Sequence, residues 1–313
     1  MRGPPWGMSM KGSYEKEGRT TTYLQRETLS LCCRCGSDRL PRTMEFTPLT
    51  VFGLILLGAV AGTLAGLLGI GGGVINVPAL TLVFGLGNIL LVKAIVFTTM
   101  IFTVLSSATR HIQSRLVLRR VVKFLVPMGG AGVAAGYLLS RDMPPSLFQG
   151  LFGIFLLYVV ALNVKRIFMA GGERDLATGD GDAVPYRRAF WIGAPMGFVA
   201  GVLGIGGGSL AGPGLQVFVR LPLRNAIACS SVSMIPLVAV AVGLSLWEGC
   251  QGGFGAPWWT APAAAAFMIP GAVTGAWLGA WLTKVLPVRG VRAVFVAVLL
   301  VTAAKLIHAA LSA

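Results

Sequence analysis

Long apolar runs separated by short polar breaks fill this chain. The runs cover roughly residues 48–69, 74–84, 89–109, 121–140, 147–164, 189–204, 209–219, 226–247, 258–283 and 291–311. A run of about 18 residues or more can cross a hydrocarbon core of about 30 Å as an α-helix. The run 121–140 holds one charge, Lys123, near enough to its end to snorkel. The runs 74–84 and 209–219 cover only about half that thickness, and each follows a glycine cluster. The polar stretch 165–188, with Glu173, Arg174, Asp175, Asp180 and Asp182, divides the chain. The pattern predicts an all-α polytopic membrane protein with transmembrane repeats at 44–164 and 189–313.

The halves repeat each other. Gly66-Leu67-Leu68-Gly69-Ile70-Gly71-Gly72-Gly73 matches Gly201-Val202-Leu203-Gly204-Ile205-Gly206-Gly207-Gly208. Pro78 and Leu80 match Pro213 and Leu215, and Ala94 with Thr98-Thr99 matches Ala226 with Ser230-Ser231. Pro127, Gly132 and Gly136 match Pro270, Gly275 and Gly279 at constant spacing. So many ordered matches indicate duplication. Loop charges bear on orientation. Loop 110–120 is strongly basic, while its counterpart 248–257 holds Glu248 and no basic residue. In 141–146 Asp142 offsets Arg141, while 284–292 carries Lys284, Arg289 and Arg292. Opposite bias in equivalent loops is expected of inverted halves under the positive-inside rule. In that reading each half has a glycine-broken re-entrant hairpin followed by three spans. The alternative is four crossings per half with the halves parallel, the break interrupting a single span.

Composition narrows the class. Charged residues are 12% and hydrophobic ones 55%, with a mean hydropathy of +0.78; soluble domains carry about 25% charged residues. The solvent of this chain is therefore lipid, and a multi-pass place in the cell (inner) membrane follows. The net charge of +15 does not indicate nucleic-acid binding. Its basic residues, such as Arg110, Arg115, Arg119 and Arg120, sit in short loops between apolar runs. Residues 1–43 lack an apolar signal core and are polar and Arg-rich, which predicts a disordered extension. Met44 is the expected natural start. Cys32, Cys33 and Cys35 lack a second ligand pair at zinc-site spacing, and Cys229 and Cys250 read as single free thiols.

The glycine clusters carry the candidate chemistry. Four glycines in five residues at 69–73 and again at 204–208 cost a helix about 1 kcal/mol each relative to alanine. Unwound backbone in a membrane needs cover from protein or a water-filled cavity. A half-helix starting there aims free N–H groups and the positive end of its dipole at that cavity, which suits an anion. Close helix packing is the competing explanation. Candidate anion-binding residues are Gly71, Gly72, Gly73, Asn76, Thr98 and Thr99 in the first half. In the second half they are Gly206, Gly207, Gly208, Ser209, Gln216, Ser230 and Ser231. The hydroxyl pairs could equally bond back to their own helices. Lys93 reads as a snorkelling residue. All acidic residues after residue 45 fall in predicted loops, which disfavours a cation cage or carboxylate proton relay. His111 and His308 are peripheral, and no catalytic constellation or metal site assembles.

These residues resemble the sulfite exporter TauE/SafE family, also called the TSUP permeases, from about residue 50 to 311. The resemblance is carried by Gly66-x-x-Gly69-Ile70-Gly71-Gly72-Gly73 with Pro78, Ala94…Thr98, Gly201-x-x-Gly204-Ile205-Gly206-Gly207-Gly208 with Pro213, and Ala226…Ser230. It implies transport of sulfite, sulfonates such as sulfoacetate, or related small anions across the bacterial cell membrane. Two features depart from the family: Ser209-Leu210-Ala211-Gly212-Pro213-Gly214 replaces a more aliphatic run, and 248–257 lacks basic residues. A secondary carrier that needs no cofactor is the leading expectation. A passive anion channel and a non-transporting subunit of a larger complex are the alternatives, and a homo-oligomer is allowed for.

Overall fold

Ten α-helices make up the helical part of the described residues, 46–68, 72–113, 117–168, 186–282 and 288–311, of the computed structural model. In chain order they are α1 Pro48–Leu68, α2 Gly73–Leu82, α3 Ile89–Gln113, α4 Arg119–Leu139, α5 Pro145–Phe168, α6 Tyr186–Leu203, α7 Gly208–Phe218, α8 Leu223–Cys250, α9 Thr260–Leu282 and α10 Val288–Leu311. All belong to one packed unit, Met44–Ala313. The expectations for residues 1–43, for Gly71 and for most of the linker 165–188 lie outside the described residues. Helices α1, α3, α4, α5, α8 and α9 are long and apolar enough to cross a membrane. Helix α8 outruns its apolar stretch and takes Glu248 into its last turn, so this acid is helical rather than in a loop. It is buried and paired with Arg141, Nε to Oε1 3.1 Å, which removes the cost of an isolated charge there.

Local chemistry sets the helix starts. Pro48 follows Thr47, whose Oγ1 accepts from the Thr50 N–H at 3.3 Å. Asn88 caps α3: its Oδ1 accepts from the N–H groups of Leu90 and Leu91 at 3.0 and 3.2 Å. The same amide donates through Nδ2 to the carbonyls of Gly253 and Phe254 at 3.1 and 2.8 Å. The start of α3, the end of α4 and the end of α8 therefore share one end of the bundle. At the other end Cys229, early in α8, lies 3.3 Å by its Sγ from the backbone N of Leu118. Helices α3 and α8 thus run antiparallel.

Two glycine zippers tie the halves together. On α6, Gly193, Gly197 and Gly201 press against the carbonyls of Leu125, Gly129 and Val133 on α4. Gly132 and Gly136 on α4 face the carbonyls of Ala194 and Phe198. The counterpart zipper joins Gly58 and Gly62 of α1 to the carbonyls of Met268 and Ala272, and Gly271, Gly275 and Gly279 of α9 to those of Ile55, Ala59 and Thr63. Contacts advance by four residues on both partners, so each pair is parallel with small residues at the seam. Helix α3 also packs on α8 and α9, α4 on α8, and α5 on α10. The outer surface is apolar: Leu49, Phe52 and Leu56 on α1 and Ile154 and Leu157 on α5 are exposed. Trp247, Trp258 and Trp259 are exposed at the end carrying Arg141 and Glu248, where membrane proteins place aromatic belts.

Candidate functional site

Gly73, the last glycine of the first cluster, meets the second cluster inside the bundle. Between α6 and α7, Gly204, Gly206 and Gly207 take left-handed φ values of 76°, 74° and 75°, a region that penalises any Cβ. Gly73, the first residue of α2, lies against this turn: a Cβ there would sit 2.8 Å from Ile205 Cα and 3.0 Å from the Gly204 carbonyl oxygen. The absent side chain of Gly73 lets the start of α2 touch this turn backbone to backbone. On α7 no carbonyl among the described residues accepts from the N–H groups of Ile205 through Ser209; the capping bonds run from Leu210 and Ala211 to the Gly207 carbonyl. On α2 the matching bonds run from Ile75 and Asn76 to the Gly72 carbonyl.

Polar side chains without a partner among the described residues lie on these two short helices and on α3. Asn76 Oδ1, Thr98 Oγ1, Ser209 Oγ and Gln216 Nε2 are buried without a hydrogen-bond partner. An unpaired buried polar group costs about 1–3 kcal/mol, so four on two short helices and their neighbour α3 need an explanation. Each can donate: the hydroxyls rotate and the Asn76 amide can flip. Other candidates divide differently. Thr99 and Ser230 bond back to the carbonyls of Ile95 and Ile227, both at 2.9 Å, which is the plain helical arrangement. Gly72 and Gly207 are the N-caps of α2 and α7, while Gly208 opens α7. Ser231 lies apart from the unpaired groups, in a crevice with Gly66, Thr103, Ser107, Met234 and Ala276.

That crevice holds about 390 Å³, counting its open mouth. It lies along the C-terminal half of α3. Two thioethers stand between it and the junction. Met100 Cε lies 2.6 Å from a Cβ position on Gly73, its Sδ meets that of Gly206, and Met234 Cε lies 3.1 Å from the latter. Nothing in the sequence sets Met100 and Met234 apart from other apolar positions. Thr103 and Ser107, missed there, continue from Thr99 at intervals of four, a hydroxyl stripe on one helix face that was open to detection. Lys93 does not snorkel: it is wholly buried, because the ends of α4 and α5 close over it.

The comparisons agree with this architecture. The family model described as "Sulfite exporter TauE/SafE" matches residues 54–306. The chain is 33% identical over 285 residues to the probable membrane transporter protein MamO of Magnetospirillum gryphiswaldense, covering 82% of this chain and 45% of that protein. It is 32% identical over 286 residues to MamO of Paramagnetospirillum magneticum, with 82% and 44% covered. To the probable membrane transporter protein YunE of Bacillus subtilis it is 30% identical over 201 residues, with 56% and 71% covered. The chain thus spans less than half the length of the MamO relatives. No solved structure matches it. A multi-pass helical bundle with glycine junctions, matched by the family model across almost its whole described length, belongs to the sulfite exporter TauE/SafE family.

Proposed function

We propose that this chain is a secondary carrier for a small anion of the sulfite or sulfonate class, bound at the junction of the glycine turns. The observation that carries the reading is the set of buried polar atoms without a partner among the described residues: Asn76 and Ser209 in the first turns of α2 and α7, with Thr98 on α3 and Gln216 farther along α7. Hydroxyl, amide and free N–H donors suit an oxyanion, and the helix dipoles add partial positive charge. Met100 and Met234 fill the space between crevice and junction, which supports a carrier that must rearrange over a standing pore.

The reading includes inverted halves. The Arg141–Glu248 pair and the Asn88 bonds to Gly253 and Phe254 join loops that the inverted arrangement puts on one side and the parallel one on opposite sides. With loop 110–120 cytoplasmic, 248–257 faces outward. Cys250 is exposed. In a chain whose other cysteines are serine, a membrane-impermeant maleimide added outside intact cells is expected to label it; labelling only after the cells are opened would contradict the arrangement.

The carrier reading is tested by thermal unfolding of purified protein with sulfite, sulfoacetate, thiosulfate, taurine or sulfate, since a ligand of the native state raises apparent stability. At least one of the first three is expected to do so in a saturable way. Ser209→Ala and Thr98→Val are each expected to weaken the response by about 1.5–3 kcal/mol in binding if their hydroxyls face charge. No response to any of these anions in folded protein would refute the reading.

A further inference from the structure

We propose that Lys93 is the basic side chain that answers the anion's charge, a specificity-determining residue for small oxyanions; the inference rests on the carrier reading above. Lys93 lies on the second turn of α3 and has no exposed surface. Its Nζ donates to Ser140 Oγ at 2.6 Å, and that hydroxyl donates to the Tyr137 carbonyl at 2.9 Å. The ammonium stands 5.1 Å from the centre of the Phe148 ring and 5.8 Å from that of Tyr137. One hydroxyl and two aromatic faces therefore replace its water, and among the described residues two of its three donors have no hydrogen-bond acceptor.

No carboxylate among the described residues pairs with Lys93. Glu248 bonds instead to Arg141. Ion burial without a countercharge is among the costliest arrangements a fold can hold, and aromatic faces return only part of that cost. The lysine stem also runs along the second glycine turn: a Cβ on Gly204 would lie 3.0 Å from Lys93 Cγ. Only glycine leaves room for the stem there, and the same turn carries the free N–H groups of 205–209 and touches Gly73. The Tyr137 hydroxyl, also buried and unpartnered, is a further unused donor on this side. A small oxyanion drawn to the junction supplies the missing negative charge. In the register Ala94 to Ala226 the repeat counterpart of Lys93 is Asn225, so the charge enters from one half only.

The test uses full-length protein carrying Lys93→Met or Lys93→Gln, with ligand-free thermal stability and the sulfite and sulfoacetate responses measured side by side. Replacing an amine buried against one hydroxyl and two aromatic rings with an apolar side chain of similar length is expected to leave ligand-free stability equal or higher in Lys93→Met. Both variants are expected to lose about tenfold or more in apparent anion affinity. A merely structural lysine predicts the reverse: lower ligand-free stability with an unchanged anion response. That pattern, or failure of both variants to fold, would overturn the assignment while wild-type binding kept the carrier reading intact. A wild type that responds to neither anion would remove both.

Discussion

Gly275→Leu and Gly132→Leu are each expected to yield no monodisperse folded protein after detergent extraction. A Cβ at Gly275 would collide with the Ala59 carbonyl oxygen and stand 3.0 Å from Thr63 N; at Gly132 it would collide with the Ala194 carbonyl oxygen and stand 2.9 Å from Phe198 N. The obstacles are backbone atoms of a parallel helix, so no rotamer change relieves them. One added methyl in a packed seam costs about 1–3 kcal/mol. A leucine must part the helices along several turns, a change comparable with total stabilities of about 5–15 kcal/mol. Gly130→Leu, on the same helix as Gly132 but with nothing within 4 Å of its Cβ position, is the control expected to fold. Size-exclusion profiles of the three variants decide the matter, and normal folding of the first two would mean that the zippers are not held as described.

Gly72→Ala is expected to produce the opposite combination: folded protein that has lost its anion response. Gly72 has a right-handed φ of −67°, which alanine adopts freely, so stability should be unchanged or higher by about 0.4–1 kcal/mol. The added methyl would meet Asn76 Nδ2 at 3.4 Å, an ordinary contact, with the next atom 3.9 Å away. It occupies the N-terminal mouth of α2, where an anion would have to approach the free N–H groups. Loss of charged hydrogen bonds worth about 1.5–3 kcal/mol corresponds to a fall of roughly ten- to a hundredfold in affinity. The sequence alone marks Gly207 as an equal partner in this test, and it is not one. Its φ of +75° strains any substituted residue, and Met196 Cε lies 3.2 Å from the Cβ position. Gly207→Ala therefore mixes a folding cost with a binding effect.

The contrast between Gly72 and Gly207 shows how far the sequence could be read. Runs of apolar residues predict the helices well because burial in lipid and in protein both demand them, and the glycine clusters punctuate those runs plainly. Intervals of four among Gly193, Gly197 and Gly201, and among Gly271, Gly275 and Gly279, are visible in one dimension. Which helix each set presses against is not, because the partner lies tens to hundreds of residues away. The same holds for Lys93. Its place near the end of an apolar run is compatible with snorkelling, and only the arrival of Ser140 and Phe148 seals it in. Among the hydroxyl candidates, Thr98 differs from Thr99 by about 100° around one helix, enough to separate an unpartnered group from a back-bonded one. Sequence repetition could mark the pair but could not choose between its members.

Counterflow in proteoliposomes tests the central claim most directly. Vesicles holding purified protein and preloaded with unlabelled sulfoacetate or sulfite are given a trace of the same labelled anion outside. A carrier with its site at the glycine junction predicts transient, saturable accumulation of label in wild-type vesicles and none above protein-free vesicles with Gly72→Ala. Accumulation at the wild-type level in Gly72→Ala vesicles, or its absence for both anions in the wild type, would contradict the account.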